Sequence, residues 1–139
     1  MENYLEMNFS LQQVNAISNL GLAHIGDGVY ELMCRTYLCR RGDATVRRLH
    51  ADTVAMVKAP AQAAFADKLL PCLTEEELAF YRRGKNSHTH AAPKSASPKE
   101  YAKATGLETL FGALYLQGKT ERLNELFSII LQEEPAKQE

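Results

Sequence analysis

This chain is poor in cysteine, lopsided charge and long apolar runs. Its three cysteines, Cys34, Cys39 and Cys72, are odd in number and form no C-x-x-C pair. That pattern argues against a disulfide framework or a zinc site and predicts reduced, buried thiols. No apolar stretch is long enough to cross a bilayer. The opening Met1-Glu2-Asn3-Tyr4-Leu5-Glu6 lacks the basic end and apolar block of a signal peptide, so a cytoplasmic location without membrane contact is expected. The formal net charge of −1 offers no global attraction to nucleic acid, so any such role must rest on how charge is distributed. Finally, no run of β-branched residues alternates with polar ones between turn signals, which argues against a sheet. No internal repeat stands out.

What is present is helical punctuation. A chain of 139 residues can bury a full core as one domain, 1–139, with loose ends over 1–9 and 133–139. Ser10 is placed to cap a short helix over 11–17, and a longer helix follows from Ser18 or Asn19 to Arg40. Arg41-Gly42 ends it, with basic residues near the last carbonyls and a glycine beyond. Asp43 or Thr45 starts a third helix, with Val46, Leu49, Val54 and Val57 as its apolar residues. Pro60 opens a fourth, over 61–70, whose inward residues read as Ala64, Phe65, Leu69 and Leu70; Pro71 stops it. Thr74-Glu75-Glu76-Glu77 and Ser97-Pro98-Lys99-Glu100 both have the form of a capping box. Between them, residues 84–98 are rich in loop formers. Gly118 closes the second of these helices, and a last one carries Leu123, Leu126, Phe127, Ile130 and Leu131. The expected class is all-α, a bundle of six or seven helices.

Two helices carry unusual chemistry. In the long one, Leu22, Ile25, Val29, Leu32, Met33 and Thr36 recur at helical spacing, yet Gly26 and Gly28 sit in its interior at a cost of about 1 kcal/mol each. Asp27 and Glu31, four apart, share one face. Glycines here suit either a tight helix crossing with a solvated acidic face, or the close approach of a ligand to Asp27. The penultimate helix has a stripe of small residues, Ala102, Thr105, Gly106, Thr109, Gly112 and Ala113, and one acid, Glu108, in an apolar run. If the two helices cross, Asp27 and Glu108 meet. Two carboxylates about 4 Å apart repel by about 4 kcal/mol at an effective dielectric of 20, which a basic side chain or a divalent cation would relieve.

Charge is also concentrated. Residues 82–103 hold six cations (Arg82, Arg83, Lys85, Lys94, Lys99 and Lys103) against one acid, Glu100. A second basic group comprises Arg40, Arg41, Arg47 and Arg48. His88 and His90 lie two apart in a loop without a third ligand, which argues against zinc.

The segments His24-Ile25-Gly26-Asp27-Gly28-Val29-Tyr30-Glu31 and Thr105-Gly106-Leu107-Glu108-Thr109-Leu110-Phe111-Gly112-Ala113-Leu114 resemble the two signature helices of ribonuclease III catalytic domains. The features between them, Leu73-Thr74-Glu75-Glu76-Glu77, Arg83-Gly84-Lys85-Asn86 and Pro93-Lys94, come in the matching order, and the likeness runs from about Leu20 to Leu131. It is closest to the short form, Mini-ribonuclease III, which lacks a double-stranded-RNA-binding domain. Further acids of the full-length enzymes would fall at Leu20, Ala23 and Thr105, and all three are replaced here.

The resemblance implies an endonuclease-domain fold and a Mg²⁺-dependent endoribonuclease, with Mn²⁺ as a substitute ion. It implies cleavage of double-stranded RNA to 5′-phosphate and 3′-hydroxyl ends, with ribosomal RNA precursor of the 23S type as substrate. Asp27 and Glu108 would be the catalytic, metal-binding acids. Glu31 is a third candidate ligand, with a salt bridge to a neighbouring arginine as its alternative. Arg82, Arg83, Lys85, Asn86, Lys94, Lys99 and Lys103 are the candidate RNA contacts. A homodimer is implied, with His24 inserting into the partner subunit unless it is a core histidine of its own. Ribosomal proteins are further candidate partners. The competing functional reading is a non-catalytic RNA-binding or ribosome-associated module on the same fold.

Overall fold

The computed structural model describes residues 1–87 and 95–132; His88, His90, Lys94 and the tail from Glu133 lie outside them. Among the described residues there are seven α-helices and no strand: α1 Leu11–Asn15, α2 Asn19–Arg40, α3 Val46–Val57, α4 Ala59–Leu69, α5 Glu75–Lys85, α6 Pro98–Leu116 and α7 Thr120–Leu131. A 3₁₀ turn, Leu70–Cys72, follows α4 at Pro71. No helix among the described residues is long and apolar enough to cross a membrane.

The starts are set by local hydrogen bonds. Ser10, Thr74 and Ser97 each form a complete capping box, the last two with Glu77 and Glu100. Ser18 and Thr45 accept from the backbone N–H groups of Gly21 and Arg48. Gly42 and Gly118 take positive φ values of 130° and 74° just past α2 and α6, where a Cβ would be strained.

Helix α6 is the axis of the bundle. It packs chiefly on α2, α5 and α4, and also on α7. Its buried residues, from Ala104 through Gly106, Leu107, Thr109 and Leu110 to Leu116, go nearly all the way round, as a central helix requires. Tyr30 of α2 is fully buried, with its ring edge-on to Phe111 at 5.7 Å and to Phe127 at 6.2 Å. The Tyr30 hydroxyl donates to the Met56 carbonyl at 2.8 Å, tying α2 to the end of α3. Arg122 of α7 grips Glu77 of α5 through two hydrogen bonds of 2.8 and 2.9 Å, and also donates to the Cys72 carbonyl.

Several inward faces differ from the hydrophobic pattern. Helix α2 buries Leu22, Ala23, Gly26, Tyr30, Cys34 and Leu38, whereas Leu32 is 59% exposed. Helix α4 turns Gln62, Ala63, Ala66 and Leu69 inward and leaves Ala64 exposed. In α3, Thr53 is buried and Val46 exposed. In each case close packing adds small or polar residues, such as Gly26, Gln62, Ala63 and Thr53, that carry little apolar signal of their own. The thiol expectation holds only for Cys34, since Cys39 and Cys72 are exposed. Nor is the lead-in loose: Phe9 N–H donates to the Leu116 carbonyl at 2.7 Å, the Tyr115 hydroxyl donates to the Tyr4 carbonyl, and Met7 and Phe9 pack on the core.

Candidate functional site

The site begins with glycine. A Cβ placed on Gly26 would lie 1.6 Å from the Glu108 carbonyl oxygen, and one on Gly112 would lie 2.1 Å from that of Leu22. Helices α2 and α6 therefore cross backbone against backbone, and this contact sets Asp27 beside Glu108. The two carboxyl groups are close enough to perturb each other's ionisation. Gly28 faces open space, so no neighbouring helix of this subunit requires a glycine there.

The pair is electrostatically uncomfortable as it stands. Burial, and then the charge of Asp27, push the Glu108 carboxyl up to about 8. Burial and then the Glu31 charge raise Asp27, while a hydrogen bond from Glu108 and the nearby His24 pull it back. Both shifts oppose ionising the two acids together.

A further residue at this site carries no sequence signal. Gln62 of α4 is 2% exposed; its Nε2 donates to Glu108 Oε2 at 3.2 Å and to the Val57 carbonyl at 2.7 Å. Its Oε1 is buried without a hydrogen-bond partner. An amide among alanines on a weakly patterned helix gives no hint of which way it faces.

The remaining candidates separate clearly. Glu31 is bound by Arg35, one turn on, with Nη2 to Oε2 at 2.6 Å, so the salt-bridge alternative is the one observed. Among the described residues no group of three or more His, Cys, Asp or Glu is placed to hold a metal. His24 is exposed, which excludes the core-histidine alternative. Arg83 is engaged inside the protein: it donates to Asn19 Oδ1, Asn15 Oδ1 and the Ile17 carbonyl at 2.7, 3.0 and 3.1 Å, clamping α5 to the α1–α2 corner. Lys103 is paired with Asp67 at 2.9 Å. Arg82, Asn86 and Lys99 are exposed and Lys85 is half-buried. The end of α5 that bears Arg82, Lys85 and Asn86 closes on α6 at Gly84, where a Cβ would strike Thr109, the neighbour of Glu108.

The donor set suits a hard cation. Mg²⁺ binds to one or two protein carboxylates and completes its shell with water and substrate phosphate. Two adjacent acids that resist ionising together, with an unpartnered amide oxygen beside them, fit that requirement.

Comparison with known proteins gives a consistent picture. A family model described as Ribonuclease III domain matches residues 20–119. A curated Mini-ribonuclease 3 of Symbiobacterium thermophilum is 50% identical over 107 residues, covering 77% of this chain and 82% of that protein. The Clostridium tetani Mini-ribonuclease 3 is 39% identical over 129 residues, covering 92% and 85%. Among solved structures, that of a Fusobacterium nucleatum protein superposes with a TM-score of 0.76 at 34% identity, covering 82% of this chain and 93% of that one.

Proposed function

Because the chain belongs to the ribonuclease III family and is an endoribonuclease, we propose that it cleaves double-stranded RNA at a Mg²⁺ ion held by Asp27 and Glu108. Ribosomal RNA precursor of the 23S type is the proposed substrate and the cytoplasm the proposed location. The observation that carries this reading is the meeting of the two acids across the Gly26 crossing.

When bound there, Mg²⁺ supplies Lewis acidity that activates water and neutralises charge growing on the phosphate oxygens. The chain's own side chains do the rest. Asp27 and Glu108 would hold the ion as carboxylates, and its charge would offset the repulsion that raises the Glu108 carboxyl. Arg82, Lys85, Asn86 and Lys99, together with Lys94, contact phosphates and 2′-hydroxyls of an A-form duplex, which is read by shape. Hydrolysis leaves a 5′-phosphate and a 3′-hydroxyl.

Cutting both strands requires two such sites, hence a twofold dimer. Support comes from α2, where Leu20, His24, Gly28 and Leu32 form one exposed row along the helix. Leu20 is 47% exposed, and the open space at Gly28 leaves room for a partner backbone. His24 lies in the middle of that row, where its flat ring can enter the partner.

The test is Asp27→Asn, assayed on a labelled RNA duplex and on a structured ribosomal RNA precursor with Mg²⁺. Cleavage should fall by more than about 100-fold while dimer and helix content persist. Full activity in that variant would end the proposal.

A further inference from the structure

Gln62 stands out as a buried polar side chain without an assigned task. It sits one turn into α4, its backbone N–H donating to the Lys58 carbonyl, directly after the extended Lys58 that joins α3 to α4. From there its amide reaches two acceptors at once, the Val57 carbonyl at the end of α3 and one carboxylate oxygen of Glu108 on α6. One planar group thereby links the α3–α4 corner to the acid on the central helix.

We propose that Gln62 is a positioning residue for the metal centre: it fixes the Glu108 carboxylate in the orientation from which, with Asp27, it binds the cation. The inference rests on the metal-centre reading given above. Three features support it. First, Glu108 has several rotatable bonds and no other hydrogen-bonding side chain among the described residues except Asp27, which repels it once both are ionised. Second, Gln62 is anchored at its other contact to a backbone carbonyl, so it transmits a fixed position rather than following the carboxylate. Third, its Oε1 is buried without a donor, an arrangement that costs stability and that packing alone would not favour. Partners of this kind typically change metal affinity by about 10- to 100-fold when removed.

The experiment uses the full chain without RNA and follows Mn²⁺ binding through loss of the free-ion electron paramagnetic resonance signal. Gln62→Met keeps volume and removes both donors; Gln62→Asn keeps the amide but is too short to span both acceptors. Each should weaken Mn²⁺ binding by about 10-fold or more, with circular dichroism showing an intact helical fold. In a Glu108→Gln background, Gln62→Met should cause no additional loss, because Gln62 acts through Glu108. As a check needing no change at position 62, the Gln62 side-chain amide resonances of the unaltered protein should shift on adding Mg²⁺ and stay still in Asp27→Asn.

Wild-type Mn²⁺ affinity in a folded Gln62 variant, or amide resonances indifferent to Mg²⁺, would overturn the inference. If Asp27→Asn binds Mn²⁺ as tightly as the unaltered protein, the metal-centre reading itself fails. If Asp27→Asn loses binding while Gln62→Met keeps it, only the role of Gln62 fails.

Discussion

Gly26 and Glu108 touch through their backbones: the missing Cβ of the first is the space occupied by the carbonyl of the second. This contact brings an exposed acid on one helix to a half-buried acid on another, and no side chain intervenes. The geometry of the site is thus a consequence of how closely α2 and α6 pack.

Gly26→Ala should therefore be severe. The added methyl meets backbone on α6, which cannot rotate away, and a loss of about 3 kcal/mol or more is expected. Gly28→Ala is its control. Nothing lies within 4 Å of a Cβ there, so the isolated subunit should gain up to about 1 kcal/mol from helix propensity. Urea denaturation of both variants checks the contrast, which disappears if the two behave alike.

The raised Glu108 carboxyl makes stability depend on pH. Unfolded, Glu108 titrates near 4.5; folded and free of metal, it keeps its proton up to about 8. Between those values the native state binds more protons than the unfolded chain, so stability declines as pH rises through that window. Glu108→Gln, which has no proton to lose, should melt higher than the unaltered protein at pH 8.5 in chelator and lack that part of the slope. Thermal scans from pH 5 to 8.5 decide it; equal slopes in the two proteins would contradict the shift.

Arg82 and Arg83 are neighbours with different expected roles. Arg83→Ala removes three hydrogen bonds and leaves Asn15, Asn19 and the Ile17 carbonyl with lost partners, at a cost of about 2 kcal/mol. Arg82→Ala should leave stability within about 0.5 kcal/mol. It should instead weaken RNA binding and lower the salt slope by about 1. Denaturation and salt-dependent gel shifts on both variants separate structural from RNA-facing charge.

Arg122→Met tests the α5–α7 clamp. Burial pushes the Glu77 carboxyl up, but hydrogen bonds from Arg122 and the Thr74 backbone hold it below its ordinary value. Without Arg122 that buried charge loses its partner, and about 2–3 kcal/mol of stability should go with it at neutral pH. The loss should shrink as the pH falls far enough to protonate Glu77, and a pH-independent difference would argue against an ionic origin.

Local information was enough for much of this molecule. Capping residues, prolines and glycines act within a turn or two of where they stand, so Ser10, Thr74, Ser97, Pro60 and Gly118 marked the helices before any packing was known. Two acids set among small residues could likewise be read as partners across a crossing. Packing decided what remained. Whether Gln62 or Ala64 faced inward, whether Glu31 paired with Arg35, and whether Arg83 reached Asn19 each depend on residues distant in sequence or on the direction a side chain takes. Alanine, glycine and glutamine carry almost no hydrophobic contrast, so the most tightly packed surfaces, including the one that builds this site, leave the faintest trace in the amino-acid pattern.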